Sequence, residues 1–536
     1  MTRANPEDDR SQPHIAAQIL TTLTNNPAAL RGLLRGVEKE SLRVTQAGAL
    51  SESAHPAALG SPLTHGAITT DFSEAQLELI TGVHDSAEKC LRELTDVHRF
   101  VYPNIGDELL WPSSMPCLVG EDDDIPVGQY GSSNIGRTKT VYRLGLGLRY
   151  GRLMQTISGI HYNFSLPEPL WEALGIHTQA ARTDAYFGLI RNFRRWSWLL
   201  IYLFGASPAV CRSFTRNLQH ALEPFDEGSH HLPYATSLRM GPLGYQSSAQ
   251  SSLHISYNSL DEYANSMVDA LTQTYPQYAR HGVMKNGEYQ QLNTAILQIE
   301  NEFYGTIRPK RRIDSGERPV AALRERGVEY VEVRCLDLNP FLPVGLDQQQ
   351  IHFLDAFLLL CLLADSDPDN VDEFARMANN QLAIVERGRD PSLMLTDDAG
   401  EARSVQAWGA TLIEQCERIA SLLDTGTNSE AYSASTAAQK AKLTDPELTP
   451  SAQILARMRE QAKPFFIFSM DQARAHKAHF QGLPLSSTEL QAFQHSVTAS
   501  LQQQRAIEQA DTLSFADFLA DYLIIPDHTT EPVDPA

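Results

Sequence analysis

Several short segments of this chain carry side chains whose types and spacing can do chemistry. In VEYVEVRC a period of two sets Tyr330, Glu332 and Arg334 on one face and Val331, Val333 and Cys335 on the other. The same alternation pairs Glu38 with Glu40 in GVEKES and His161 with Asn163 in SGIHYNF, and it groups Gln298, Glu300 and Glu302 in LQIENEF. If DFSEAQLEL is a strand, Glu78 stands between core residues Leu77 and Leu79. Carboxylates crowded on one sheet face repel each other unless cations neutralise them. An oxygen-rich cluster with one imidazole suits Mg²⁺, or Mn²⁺, better than zinc. The bland alternative is that each half-polar strand simply faces water. Against it, these faces carry almost no Lys, Thr or Ser. On this reading, removing Glu332 from a crowded acidic face should leave the metal-free protein as stable as before or more so.

A basic segment, TIRPKRR, brings Arg308, Lys310, Arg311 and Arg312 directly after LQIENEF and reads as a turn able to grip phosphates. Neither a Walker A loop nor a GxGxxG opening a helix is present, and GLGLRYG sits in a helical context. A GxSxG elbow is also missing, and no cysteine has an evident activating neighbour, so nucleophilic catalysis lacks support.

Composition narrows the setting. A hydrophobic fraction of 42% in 536 residues is enough for a sizeable core. The formal net charge of −21 argues against nucleic acid or an anionic membrane as the main partner. An anionic substrate would then need a locally placed cation. The six cysteines are widely spaced and read as free thiols of a cytoplasmic protein. The polar N-terminus has no apolar segment behind a basic start. Two apolar runs, Trp196 to Phe204 and Phe353 to Ala364, fall short of the roughly 18 residues that a membrane helix needs.

These residues need elements to position them. Strand patterns cover 36–44, 155–166, 297–307 and 328–338, and helical patterns cover 91–102, 180–204 and 259–275. Two short helices fit between Ile15 and Leu34. Residues 112–140 read as a long functional loop, with 127–137 as an element that could close over a site. Beyond Pro343, helices are expected over 347–364, 369–388, 404–424, 450–463 and 487–523, with a loop or frayed segment at 425–440. The expectation is an α+β fold: a disordered arm at 1–13, a sheet core with helices at 14–345, a helical part at 346–525 packed on it as one domain, and a disordered tail at 526–536.

At these residues the chain resembles the glutamate–cysteine ligases of the proteobacterial type. The resembling stretches are RGVEKESLRV, LGSPLTHGAITTDFSEAQLELIT, WPSSMPC, QYGSSNIGRTKTVYRLGL, LMQTISGIHYNFSLP, IYLFGASPAV, LPYATSLRMGPLGY, LQIENEFYGTIRPKR and EYVEVRCLDLNPF, in the family's order from about residue 31 to 345. The resemblance implies a glutamine-synthetase-like fold with a funnel-shaped antiparallel sheet. It implies ATP as co-substrate, glutamate and cysteine as substrates, and glutathione as feedback inhibitor. Carried over by motif, Glu38, Glu40, Glu78, His161 and Glu332 match metal ligands, and Arg334 matches the arginine facing the transferring phosphoryl group. Arg239 matches the residue holding the glutamate α-carboxylate. Tyr142, Arg143, Leu146, Tyr245 and Tyr304 match positions around the amino acids, the tyrosines forming the cysteine pocket. Arg308 and Lys310 remain the phosphate-gripping candidates. A monomer meets these requirements. Another carboxylate–amine ligase, and a non-catalytic sensor with the same fold, stay open as alternatives.

Overall fold

The computed structural model describes residues 13–244, 248–251, 253–314 and 316–525. Its centre is a seven-stranded sheet of β1 (Leu34–Val44), β2 (Ile68–Thr70), β3 (Gln76–Ile80), β4 (Leu109–Leu110), β5 (Ile160–Ser165), β6 (Ile307–Lys310) and β7 (Tyr330–Leu336). The order is β6-β7-β5-β1-β3-β2, with β4 paired to β1, and every pairing is antiparallel. One face is apolar: Val37, Leu77, Leu79, Ile160, Tyr162, Phe164, Val331 and Val333 join the main core. Around the sheet lie helices α1 (Ala87–Asn104), α2 (Asn134–Tyr150), α3 (Gln179–Trp196), α4 (Trp198–Phe204) and α5 (Gln348–Leu363). They are followed by α6 (Val371–Arg387), α7 (Val405–Thr427), α8 (Ala431–Thr444), α9 (Phe465–Gln481), α10 (Ser487–Ala510) and α11 (Phe515–Tyr522). The fold is α+β with a helical C-terminal third, as expected. Helix α5 is apolar on nearly every side because it is buried on every side. Among the described residues, no helix is long and apolar enough to cross a membrane.

Four expectations are corrected. Residues 297–306 form no strand; Glu300–Glu302 is a 3₁₀ turn, and each carboxylate has a distant partner. Glu302 takes Arg149 at 2.9 Å and the Tyr150 hydroxyl at 2.6 Å, while Glu300 takes Arg318 at 2.9 Å. The basic segment is strand β6 rather than a turn. Pro309 is tolerated there because β6 is an edge strand, where a missing N–H costs little. Residues 431–444 are helix α8 rather than a loop. Asn428 ends α7 at φ 55°, and Asp424 accepts the backbone N–H groups of Tyr432 and Ser433, both at 2.9 Å. Small residues such as Ser435 and Thr436 then pack inward. Finally, the cysteines are not all free: Cys117 and Cys211 form a disulfide, which their 94-residue separation hides in the sequence, while Cys90, Cys335, Cys361 and Cys416 are free and buried.

The sheet is fastened to α5 by a buried charge pair. Arg35 donates to Asp355 at 2.8 Å, and the hydroxyls of Tyr162 and Tyr432 donate to the same carboxylate at 2.6 and 3.2 Å. Both charged side chains are at most 2% exposed. Asp355→Ala would leave the Arg35 charge buried without its counter-ion, so a loss of about 3–5 kcal/mol is expected. Denaturant unfolding measures it, and a change below 1 kcal/mol would show that water or another acceptor replaces the carboxylate.

Candidate active site

The polar face of the sheet gathers the chemistry. Register places Glu38 opposite His161, Glu40 opposite Glu78, and Glu332 between Asn163 and Arg308. His161 is the hub. Its Nδ1 lies 3.0 Å from Glu38 and 3.9 Å from Glu332, and its Nε2 lies 3.6 Å from Glu40. Glu38, Glu78 and His161 each offer a ligand atom within 4.8 Å of the others. The structure thus brings together all five side chains singled out as metal ligands.

Their electrostatics divide the cluster in two. Glu332 is 1% exposed, yet its carboxyl is held well below the ordinary range. Burial alone would raise it, but Lys310 at 3.3 Å and Arg334 at 3.1 Å win, helped by His161 and Arg308. On the other side the cations do not prevail. Burial and the neighbouring Asp71 push Glu40 up to about 8, although Arg239, the Gly159 N–H and Arg334 pull against them. Burial, then Glu38, Asp71 and Glu40, drive Glu78 well above its ordinary value. Two carboxylates directly opposite in a ladder destabilise it. The donor set around Glu40 and Glu78 therefore fits a hard divalent cation, which would relieve that repulsion. Glu332 is different: removing it strips a partner from Lys310 and Arg334, so the expectation of unchanged or raised stability is corrected.

Beside this cluster a cavity of about 340 Å³ is lined by Arg239, Arg334, Tyr304, Tyr257, Gln250 and Phe374, among others. Arg239 is 1% exposed; it donates to the Arg334 carbonyl at 3.0 Å and lies 3.8 Å from Asp337. Asp337 is itself fixed by the hydroxyls of Ser207 and Ser237 and by the Ala206 N–H. Gly159 lets this arginine in, since a Cβ there would stand 1.9 Å from its Nη2. If Arg239 holds the glutamate α-carboxylate, as the resemblance implies, Gly159→Ala should displace the guanidinium and raise the KM for glutamate at least about tenfold. Steady-state kinetics test this, and an unchanged KM would detach Arg239 from that substrate.

The remaining candidates are dispersed. Tyr304 receives a hydrogen bond from Gln155 at 2.9 Å and meets the Tyr150 ring edge-on at 5.7 Å. Tyr142 and Leu146 stand on α2, Tyr142 half-buried and Leu146 in the core, and neither lines the cavity. Arg143 is spent on the carbonyls of Thr70, Asp71 and Lys139, and its guanidinium lies 4.5 Å over the Tyr130 ring. Arg308 is buried and turned to the carbonyls of Asn301 and Phe303, whereas Lys310 reaches Glu332 and is 29% exposed. Tyr245 lies outside the described residues. Sequence inspection passed over Asp71, which follows β2 and bears on Glu40, Glu78 and Tyr304. The signal available was an acidic residue in TTDFSEAQ just before the Glu78 strand.

Comparison with known proteins gives a consistent answer. The family model for glutamate–cysteine ligase matches residues 20–384. The chain is 50% identical to the glutamate–cysteine ligase of Pseudomonas entomophila, over 94% of this chain and 96% of that protein. It is 49% identical to that of Azotobacter vinelandii, over 93% and 95%. The crystal structure of the Francisella tularensis glutamate–cysteine ligase in complex with AMP superposes with a TM-score of 0.88 at 38% identity, covering 92% of this chain and 98% of that one. A bifunctional glutathione synthetase from Pasteurella multocida shares the fold, with a TM-score of 0.69 at 22% identity over 94% of this chain and 60% of its own. A sheet face crowded with carboxylates, an arginine-lined cavity beside it and near-full-length similarity to these enzymes lead to one conclusion: the chain belongs to the glutamate–cysteine ligase family.

Proposed function

We propose that this chain joins the γ-carboxylate of L-glutamate to the amine of L-cysteine at the expense of ATP, releasing γ-glutamylcysteine, ADP and phosphate, the first step of glutathione synthesis. The observation that carries the reading is the junction of the two guanidinium groups with the carboxylate cluster at one end of the cavity. Arg239 takes the glutamate α-carboxylate, which fixes the direction in which the γ-carboxylate points. A γ-carboxylate oxygen then attacks the terminal phosphorus of ATP, the bond to the bridging oxygen breaks, and ADP leaves. Arg334 faces the charge spread over the equatorial oxygens; its planar fork grips two of them and never deprotonates. A divalent ion, Mg²⁺ or Mn²⁺, held by Glu38, Glu78 and His161 with Glu40 and Glu332 beside them, would neutralise phosphate charge when bound. Lys310, 29% exposed beside Glu332, is placed to meet the nucleotide. Arg308 would act on it only through its charge, because its guanidinium is held by the Asn301 and Phe303 carbonyls. The cysteine amine, once deprotonated, attacks the acyl carbon, and the bond to phosphate breaks. The acyl phosphate is open to hydrolysis, so the site must exclude water before it forms.

Tyr142, Leu146 and Tyr304 bound the cysteine side, Tyr245 is assigned to it by motif alone, and Arg143 braces the backbone there. Glutathione contains the product and is expected to compete for both amino-acid subsites. ATP as co-substrate and a thiol as acceptor suit the cytoplasm, and nothing in the mechanism asks for a second subunit. The test is ADP release with glutamate, offering cysteine, 2-aminobutyrate, serine, glycine and ammonia in turn. Cysteine and 2-aminobutyrate should serve. Serine should fall behind by about 1–3 kcal/mol, because its hydroxyl loses water without a matching partner. Equal use of ammonia would point to another carboxylate–amine ligase, and no ADP release with any acceptor would point to a sensor.

A further inference from the structure

Helix α10 is docked at its first half by apolar contacts, Phe493 stacking on Phe100 at 4.6 Å and Val497 packing against the main core, but of its described residues only Ser500 is fully buried. Specific polar contacts also attach it to two segments that flank the site. Ser500 receives the Ser61 N–H at 3.1 Å and accepts from Thr64 at 2.6 Å, shortly before β2 and Asp71. At the other end, Glu508 accepts the Ser132 N–H at 2.9 Å, and Asp511 accepts the N–H of Asn134, the first residue of α2. Gly131 at φ 85° makes this approach possible, since a Cβ there would stand 2.4 Å from the Glu508 carboxylate.

Two carboxylates from elsewhere in the chain thus sit at the positive end of a 17-residue helix, beside its own Ser133 cap. The first helical turn has N–H groups with no partner inside the helix, and charge-assisted bonds to them are strong. Helix α11 completes the grip. Phe515 stacks under Arg137 at 4.2 Å and forms a small cluster with Val141, against which Tyr142 packs. Arg318 donates to the Tyr522 carbonyl at 3.3 Å and anchors the far end.

We infer that α10 and α11 are a strap that sets the position of α2, so that Glu508, Asp511 and Phe515 are positioning residues for the acceptor amino acid. The inference rests on the assignment of Tyr142 and Leu146 to the cysteine side. Among the described residues the strap's contacts include α2 and none involves Arg239 or Arg334, so its loss should be felt by cysteine and not by glutamate.

The experiment compares Asp511→Ala, Glu508→Ala/Asp511→Ala and Phe515→Ala with Asp511→Asn and with Tyr142→Ala in the full-length protein. The double variant and Phe515→Ala should raise the KM for cysteine about tenfold or more, with glutamate and ATP within about twofold. Asp511→Asn keeps an acceptor oxygen and should recover most of the loss. Amide exchange at residues 132–136 should quicken in Asp511→Ala while α5 stays protected; this readout is available even where turnover is poor. If Tyr142→Ala raises the cysteine KM and the strap variants do not, the inference fails while the acceptor-side assignment stands. If the strap variants raise it and Tyr142→Ala does not, the strap acts on the acceptor through the Leu146 part of α2 and the assignment of Tyr142 fails. Silence from all of them removes both. A uniform rise in all three KM values, or a fall in melting temperature alone, reduces the strap to a structural brace. Should Phe515→Ala fail to fold, Phe515→Leu takes its place.

Discussion

Arg334→Ala is expected to lower kcat by about 10³–10⁵-fold, the range over which an arginine facing a transferring phosphoryl group acts. Of the arginines on this side of the sheet, Arg239 is held by Asp337 and its neighbours, and Arg308 is turned to backbone carbonyls. Arg334 alone among the three both pairs with the carboxylate cluster, at 3.1 Å from Glu332, and lines the cavity with 20% of its side chain exposed. The KM for glutamate should change far less than kcat, because the α-carboxylate is assigned to Arg239. Arg334→Lys should recover little: an ammonium presents a point charge where a planar fork is needed. A kcat within tenfold of wild type would place the phosphoryl-facing cation elsewhere, with Lys310 the next candidate.

Glu332→Gln and Glu78→Gln should both reduce kcat strongly, by about 10²–10³-fold, because each removes a carboxylate that would hold or orient the cations set against the phosphoryl charge. Their effects on the metal-free protein should differ in sign. Glu332 is surrounded by Lys310, Arg334, His161 and Arg308, so neutralising it strands cations and should cost about 1–3 kcal/mol. Glu78 faces Glu40 directly and feels Glu38 and Asp71, so neutralising it should leave stability unchanged or raise it by up to about 1 kcal/mol. Denaturant unfolding in the presence of a chelator separates the two. Equal losses in both variants would mean that the carboxylates are balanced in some other way than by the neighbours named here.

The sequence by itself determined which side chains share a face. Alternation is a local property of extended backbone, so Glu38 could be aligned with Glu40, His161 with Asn163 and Glu332 with Arg334 within their own strands without any knowledge of the fold. The same local rule misled at Gln298, Glu300 and Glu302, where a stretch with the right rhythm is a 3₁₀ turn. Their carboxylates belong to Arg318, 18 residues on, and to Arg149, about 150 residues back, and no pattern in LQIENEF announces either. Most helical texture after Pro343 was legible from spacing, whereas α9 over Phe465–Gln481 was not expected, nor was α8, whose small residues become helical only against α7 and α5. Register was likewise beyond reach: it alone sets Glu40 against Glu78 and Glu332 against Arg308, and so decides which carboxylates are strained and which are neutralised. The Cys117–Cys211 link and the strap of α10 and α11 on α2 are of the same kind. Chain geometry over a few residues fixes what a side chain can face; the neighbours it meets, and hence its charge balance, are fixed by segments far away in sequence that only packing brings together.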